Sequence, residues 1–209
     1  MKKNGFTLIE MLVVMGIIAI LSGALMAGFS HITRSAQRAR CQETVSNVAT
    51  ALSLILQREG RWPVNFKSYA GTDREGMGTV EVVAKTFAEK GMLGVSKNGD
   101  QLTGVDRCGI VDPWAQAVLK RSKGGQGSGK ELKVPSGGTV RDHVIYYAID
   151  DDMDGITEAM VCGERIRVRA SAIAWAAGAD GKLGSSYSKR SKDNSDNVYS
   201  WRRAQEVKK

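Results

Sequence analysis

Residues 11–29 (MLVVMGIIAILSGALMAGF) run for nineteen positions without a charge. At about 1.5 Å of rise per residue that is about 28 Å of helix, close to the hydrocarbon thickness of a bilayer, so the run predicts a membrane helix. Lys2 and Lys3 precede it and Arg34, Arg38 and Arg40 follow; with both flanks basic, charge alone does not fix the orientation. Beyond the run the pattern becomes periodic. Val45, Val48, Ala49, Leu52, Ile55 and Leu56 recur at the spacing of an amphipathic helix. No proline occurs before Pro63, so a single helix is expected from residue 7 to residue 58, with Gly60 as its stop. Such a helix is roughly 75–80 Å long, far more than one bilayer requires.

The remainder reads as a small mixed domain beginning near residue 61. Residues 79–90 place Val80, Val83, Ala84 and Phe87 on one face ahead of Gly91, which predicts a short second helix. Residues 143–149, 156–162 and 165–175 carry β-formers and predict antiparallel strands, the first two joined across an acidic turn and the last two across Gly163-Glu164. Residues 122–138, rich in glycine and serine, predict a surface loop. Gly124 to Lys130 has the glycine and lysine spacing of a phosphate-binding loop, but Glu131 stands where its Ser or Thr belongs, so nucleotide binding is not expected.

Composition narrows the picture. The 209 residues are 42% hydrophobic and 25% charged, which excludes a wholly disordered or collagen-like chain. The net charge of +8 includes a basic tail, since residues 189–209 hold seven Lys or Arg against three acids. Clustered cations bind phosphate without reading sequence, but a solvated tail is the favoured reading over nucleic-acid binding, with only Tyr187, Tyr199 and Trp201 nearby as stacking platforms. Cys41, Cys108 and Cys162 allow one disulfide. Cys108 with Cys162 is the expected pair, because Cys41 sits on the long helix. No C-x-x-C spacing suggests zinc. Neither His31 nor His143 has an evident nucleophile or carboxylate motif around it, so both read as surface or packing histidines and no enzymatic activity is expected.

Glu10 stands between Phe6-Thr7-Leu8-Ile9 and the apolar run. A carboxylate there is expensive in lipid and marks a partner or a function. Ala19, Gly23 and Ala27 form a small-residue seam that lets helices approach closely where lipid gives no hydrophobic drive. A secretory signal peptide fits poorly, because the run is long and helix continues after it. The order Gly5-Phe6-Thr7-Leu8-Ile9-Glu10-Met11-Leu12-Val13-Val14 resembles the processing signal of type IV prepilins and type II secretion pseudopilins. The resemblance implies cleavage after Gly5 by a prepilin peptidase and methylation of the new amino terminus on Phe6. It also implies a role for Glu10, five residues into the mature chain, in neutralising the terminal ammonium of a neighbouring subunit. Relatives often carry a proline near Ala27; this chain has none, leaving Gly23 and Gly28 for any loosening there.

Two further stretches are similar to major pseudopilins. Asp112-Pro113-Trp114 resembles the tripeptide that opens their β region, and Gly178-Ala179-Asp180-Gly181 with residues 193–201 resembles their calcium-binding carboxy-terminal loop. The resemblance implies calcium ligands at Asp180 and Asp196; because calcium takes six to eight oxygens, Asp193 and Asn194 are further candidate donors. Asn197 replaces a second acid, and Lys189, Arg190 and Lys192 lengthen the loop and oppose a cation. Independently, Asp150, Asp152 and Asp154 occupy positions 1, 3 and 5 of a calcium loop, with Gly155 at its sharp turn. Val161 stands where an EF-hand places its bidentate glutamate, so this is not an EF-hand, and Glu158 is the nearest substitute. For both clusters a solvated acidic turn is the competing reading.

The expected architecture is therefore α+β and pilin-like, a long amino-terminal helix packed on a small antiparallel β-sheet domain. Residues 1–5 form a leader, 6–30 a transmembrane and filament-core segment, 31–60 an amphipathic continuation, and 61–209 a soluble head. The implied work is structural: a self-assembling filament of pilus or secretion-pseudopilus type in the bacterial inner membrane, its head outside the cytoplasm. The implied partners are a prepilin peptidase, an inner-membrane assembly platform and minor pilins or pseudopilins. Two alternatives stand beside it, a DNA-binding competence pilin and a membrane-anchored calcium-binding surface protein that never polymerises.

Overall fold

The computed structural model describes residues 8–64, 66–68, 83, 105–106, 109–121, 132–184, 186–187 and 194–207. A helix, α1 (Leu8–Glu59), leads the chain. It ends where Gly60 takes φ +68° and donates its N–H to the Leu56 carbonyl at 2.8 Å, a left-handed residue closing a helix as glycine does at low cost. Two compact units divide the chain, residues 1–37 and residues 38–209, with the boundary inside α1.

The second unit is layered. The central sheet has strand order β3-β6-β7 and is antiparallel throughout, with β3 (Ile145–Ile149) pairing β6 (Ala172–Ala176) and β6 pairing β7 (Val198–Tyr199). On one face lies the buried stripe of α1: Cys41, Thr44, Val45, Val48, Ala51, Leu52 and Ile55. That stripe follows the predicted periodicity, although Ala49 and Leu56 are only half-buried. It packs against Ile145, Tyr147 and Ile149 of β3 and against Ala172, Ala174 and Ala176 of β6. Alternation explains the division, because successive strand residues face opposite ways. Ile173 and Trp175 of β6 therefore join the other layer, where they meet Val161, Ile166, Val168 and Trp201. Alanines on the helix side of β6 leave room for the helix backbone to come close.

That other layer is a hairpin of β4 (Thr157–Val161) and β5 (Glu164–Val168), antiparallel, turning at Cys162-Gly163. The carboxy-terminal segment adds to its outer edge: Val207 N–H donates to the Arg167 carbonyl at 2.8 Å and Arg169 N–H to the Gln205 carbonyl at 2.9 Å. Of the residues expected to be a solvated tail, Val198 and Tyr199 thus pair with β6, and residues 205–207 bond along β5. A short pair, β1 (Val105–Asp106) with β2 (Gly109–Ile110), precedes α2 (Pro113–Arg121).

This is the α+β pilin-like arrangement expected from the sequence. Three details differ. The single strand read over 165–175 is two, broken at Arg169-Ala170-Ser171, and β3 pairs with β6 instead of with β4 across the acidic turn. Asp112-Pro113-Trp114 opens a helix, not a β region. Pro113 suits the first helical position and Asp112 Oδ1 accepts the Ala115 N–H at 3.0 Å, so the tripeptide is a helix start. Of the helix read over 79–90, only Val83 is described, and it is helical and buried.

Candidate functional site

Two regions carry the candidate chemistry: the first turns of α1 and the acidic loops of the second unit.

Between Leu8 and Leu21, α1 exposes eleven large apolar side chains, among them Leu8 at 84%, Ile20 at 75% and Met15 at 68%. They lie on every side of the helix, so no single packed face accounts for them, and a surface of that kind is built to be covered. Glu10 sits exposed in the first described turn, where the amino-terminal end of the helix dipole favours negative charge. Ala19 and Gly23 are exposed along the helix, and nothing lies within 4 Å of a Cβ built on Gly23. Gly5 and Phe6 fall outside the described residues, as does the side chain of Ala27. Among the described residues no helix is long and apolar enough to cross a membrane. The described side chains stop at Gly23 and resume at Ile32, so they cover only part of the uncharged run.

The acidic loop between β3 and β4 brings Asp150, Asp152 and Asp154 together, with one carboxylate oxygen of each within 4.8 Å of the others. Asp150 is buried while Asp152 and Asp154 are exposed. The Asp150 carboxylate accepts the Gly155 N–H at 2.8 Å and the Asp154 N–H at 3.3 Å. Gly155 has φ +85° and open space around it, so the turn needs glycine for conformation and not for room. Burial pushes the Asp150 carboxyl above its ordinary value, with Asp152 adding to the shift and the Gly155 and Asp154 amides opposing it. Asp151 is pushed the same way by burial and by Asp152. Negative charge is under-compensated here, and a cation would relieve it. The loop is also tied to the rest of the unit: Trp62 Nε1 donates to the Asp150 carbonyl at 2.5 Å and Asp150 N–H to the Ser171 carbonyl at 3.0 Å.

The second loop pair is closely packed. Asp196 Oδ2 accepts the N–H groups of Ala179 (2.7 Å) and Asp180 (3.1 Å), and Asp180 Oδ1 accepts that of Lys182 (2.9 Å). Gly178 has φ +77°, and a Cβ there would lie 2.5 Å from the Asp196 carbonyl oxygen. Asp196 Oδ1 is buried and has no hydrogen-bond partner among the described residues. A buried carboxylate oxygen without a donor is costly, and a cation ligand has that chemistry. Asp193 lies outside the described residues. From beneath, Gln42 Nε2 of α1 donates to the Tyr199 carbonyl at 3.0 Å. The structure brings Asp180 and Asp196 together, and separately Asp150, Asp152 and Asp154.

Cys162, expected to pair with Cys108, is a free thiol 3.8 Å from the Tyr199 hydroxyl. Cys108 lies outside the described residues. Burial pushes the Cys162 and Cys41 thiols up, so both stay protonated and unreactive. The three aromatic rings weighed as a stacking platform pack on one another, with centroids 5.0 Å apart for Tyr199 and Trp201 and 5.2 Å for Tyr187 and Tyr199. His143 is no solitary packing histidine: its Nδ1 is 2.7 Å from Asp112 Oδ2, both side chains fully buried.

No solved structure matches the chain. Residues 1–26 match the family model of the prokaryotic N-terminal methylation motif, and with the long helix and antiparallel head that match supports a type IV pilin-like protein processed by a prepilin peptidase.

Proposed function

We propose that the chain is the structural subunit of a filament of the type II secretion pseudopilus kind, anchored by a single membrane pass before assembly. The observation that carries this reading is the all-round apolar surface of α1 from Leu8 to Leu21, interrupted by Glu10 and lying within the matched motif. Such a surface is covered by lipid before assembly and by copies of itself afterwards. The peptidase removes residues 1–5 and Phe6 becomes the methylated terminus. Intact mass and amino-terminal sequencing of protein from its own cells test this: the expected chain starts at N-methylated Phe6, and a chain still starting at Met1 overturns the reading. Cysteines placed along residues 6–30 give crosslinked ladders in a filament and monomers in a simple anchor. Sheared surface fibres in the electron microscope would mark a pilus instead of a pseudopilus.

Calcium is the second part of the proposal. Asp150, Asp152 and Asp154 supply three converging carboxylates, and Asp180 and Asp196 form the other candidate site. With free calcium about a hundredfold above Kd, the ion adds about 2.7 kcal/mol to stability. For a domain of this size that is a rise in Tm of about 5–10 °C. The expected result for the full chain in detergent is that rise, lost in Asp152→Asn with Asp154→Asn if the first loop is the site and in Asp180→Asn with Asp196→Asn if the second is. Because Trp62 touches the first loop, its fluorescence should follow binding there. A Tm indifferent to calcium and chelator in the unmodified chain removes calcium from the proposal.

A further inference from the structure

We propose that the head domain closes over a proton shared by Asp112 and His143, and that it loosens in mildly alkaline conditions as this proton leaves. The geometry is a matter of donors and acceptors. His143 ends the 3-10 turn Val140–His143 just before β3, and its two ring nitrogens each face an oxygen. Nδ1 is 2.7 Å from Asp112 Oδ2, and Nε2 is 2.8 Å from the Gly137 carbonyl. Neither oxygen of an ionised carboxylate and a carbonyl can donate, and a neutral imidazole carries one N–H. With one ring proton and an ionised carboxylate, a lone pair would face a lone pair inside the core, at the cost of an unsatisfied buried group. One further proton on the Asp112–His143 contact makes both contacts hydrogen bonds, and burial, which raises Asp112, favours keeping it there.

Both side chains are fully buried. Trp114 lies at a ring distance of 6.3 Å, and a Cβ built on Gly181 would come within 2.9 Å of His143 Nε2, so the 178–181 loop closes directly over the ring. The other oxygen of Asp112 caps α2 through the Ala115 N–H. The pair therefore joins the start of α2 to the 137–143 turn, with the glycine loop packed over it.

The surrounding groups do not replace that proton. From α1 comes Cys41, a thiol kept neutral by burial and by the charge of Asp112. From the turn itself comes Asp142, whose carboxylate is taken by the N–H and hydroxyl of Thr139, beside exposed Arg141. β3 adds Tyr146, pushed up by burial. The loop over the ring adds Asp180 and Lys182, joined to each other through the Lys182 N–H. Burial alone would lower the His143 value, but the hydrogen bond and charge of Asp112, with the Gly137 carbonyl and Asp142, raise it overall. A group raised on folding contributes stability that is whole below its unfolded pKa and is lost as pH climbs through the folded one. For histidine that window opens near pH 6.5.

The test uses the full chain in detergent with isotope-labelled histidine. The chain has two histidines, and His31→Gln assigns their signals. The Asp112–His143 pair is expected to keep its proton at pH 8, so the His143 ring signals should not change between pH 6 and 8, where an unperturbed imidazole deprotonates; a His143 that titrates near pH 6.5 overturns the proposal. Between pH 6.5 and 8 the folding equilibrium constant should fall by up to about tenfold per pH unit, and His143→Gln should flatten that dependence. An equal slope in the two proteins also overturns it. If His143→Gln does not fold, the ring signals of the unsubstituted protein decide.

Discussion

Replacing Glu10 by glutamine is expected to leave a folded head and almost no polymer. Glutamine keeps the size of the side chain and removes its charge, so any loss reports electrostatics and not shape. In the proposed filament the methylated ammonium of Phe6 is withdrawn from water, and Glu10 of an adjacent copy is its counter-charge. Removing one partner of such a buried pair leaves the other uncompensated, at about 3–5 kcal/mol, which corresponds to a loss of association of more than about a hundredfold. Glu10 lies in the first compact unit, residues 1–37, so the Tm of residues 38–209 should not move. The measurement is the yield of pelletable polymer and of crosslinked ladders beside a thermal melt. Polymer at the unsubstituted level would remove Glu10 from assembly. A lowered Tm would instead place its effect in folding.

Which features were legible in the sequence follows from how local their causes are. α1 was legible nearly to the residue, because an absent proline, a continuous apolar run and then a regular period act within a few residues of each other, and Gly60 marks the stop. The β4–β5 hairpin was legible for the same reason, as its turn sits between two short runs of β-formers. Pairing of β3 with β6 was not. That contact joins residues about 25 apart in sequence, and what decides it is burial on both faces of β6, which local pattern does not encode. The reading of 165–175 as one strand failed because Arg169-Ala170-Ser171 contains no proline or glycine to announce the break. At Asp112 a helix signal was present in plain sight, an N-cap residue followed by proline, and the resemblance to a β-region motif obscured it. His143 was read without its partner because Asp112 lies 31 positions away. Asp150, Asp152 and Asp154 were legible as a cluster, since alternate positions in a tight turn converge. The orphaned oxygen of Asp196 depends on tertiary packing and has no local signature.

Leucine-to-alanine changes at two positions of the same helix separate its two roles. Leu52 is fully buried between α1 and the central sheet, so Leu52→Ala removes its transfer energy and leaves a cavity, about 3 kcal/mol together. That lowers Tm by about 6–12 °C in a domain of this size. Leu12 is 65% exposed and lies in the first compact unit, so Leu12→Ala should leave the melt in place. Its loss should surface where α1 meets lipid or other copies, as weaker retention in membranes or micelles and a lower polymer yield. Three carbons of apolar side chain are lost at both positions, but at Leu52 the burial comes from the chain's own sheet and at Leu12, in the proposed filament, from outside the chain. Melts and polymer yields for the two variants, measured side by side in one detergent, read this directly. If Leu12→Ala lowers Tm as much as Leu52→Ala, the first turns of α1 are part of the folded core, and the apolar surface from Leu8 to Leu21 no longer argues for assembly.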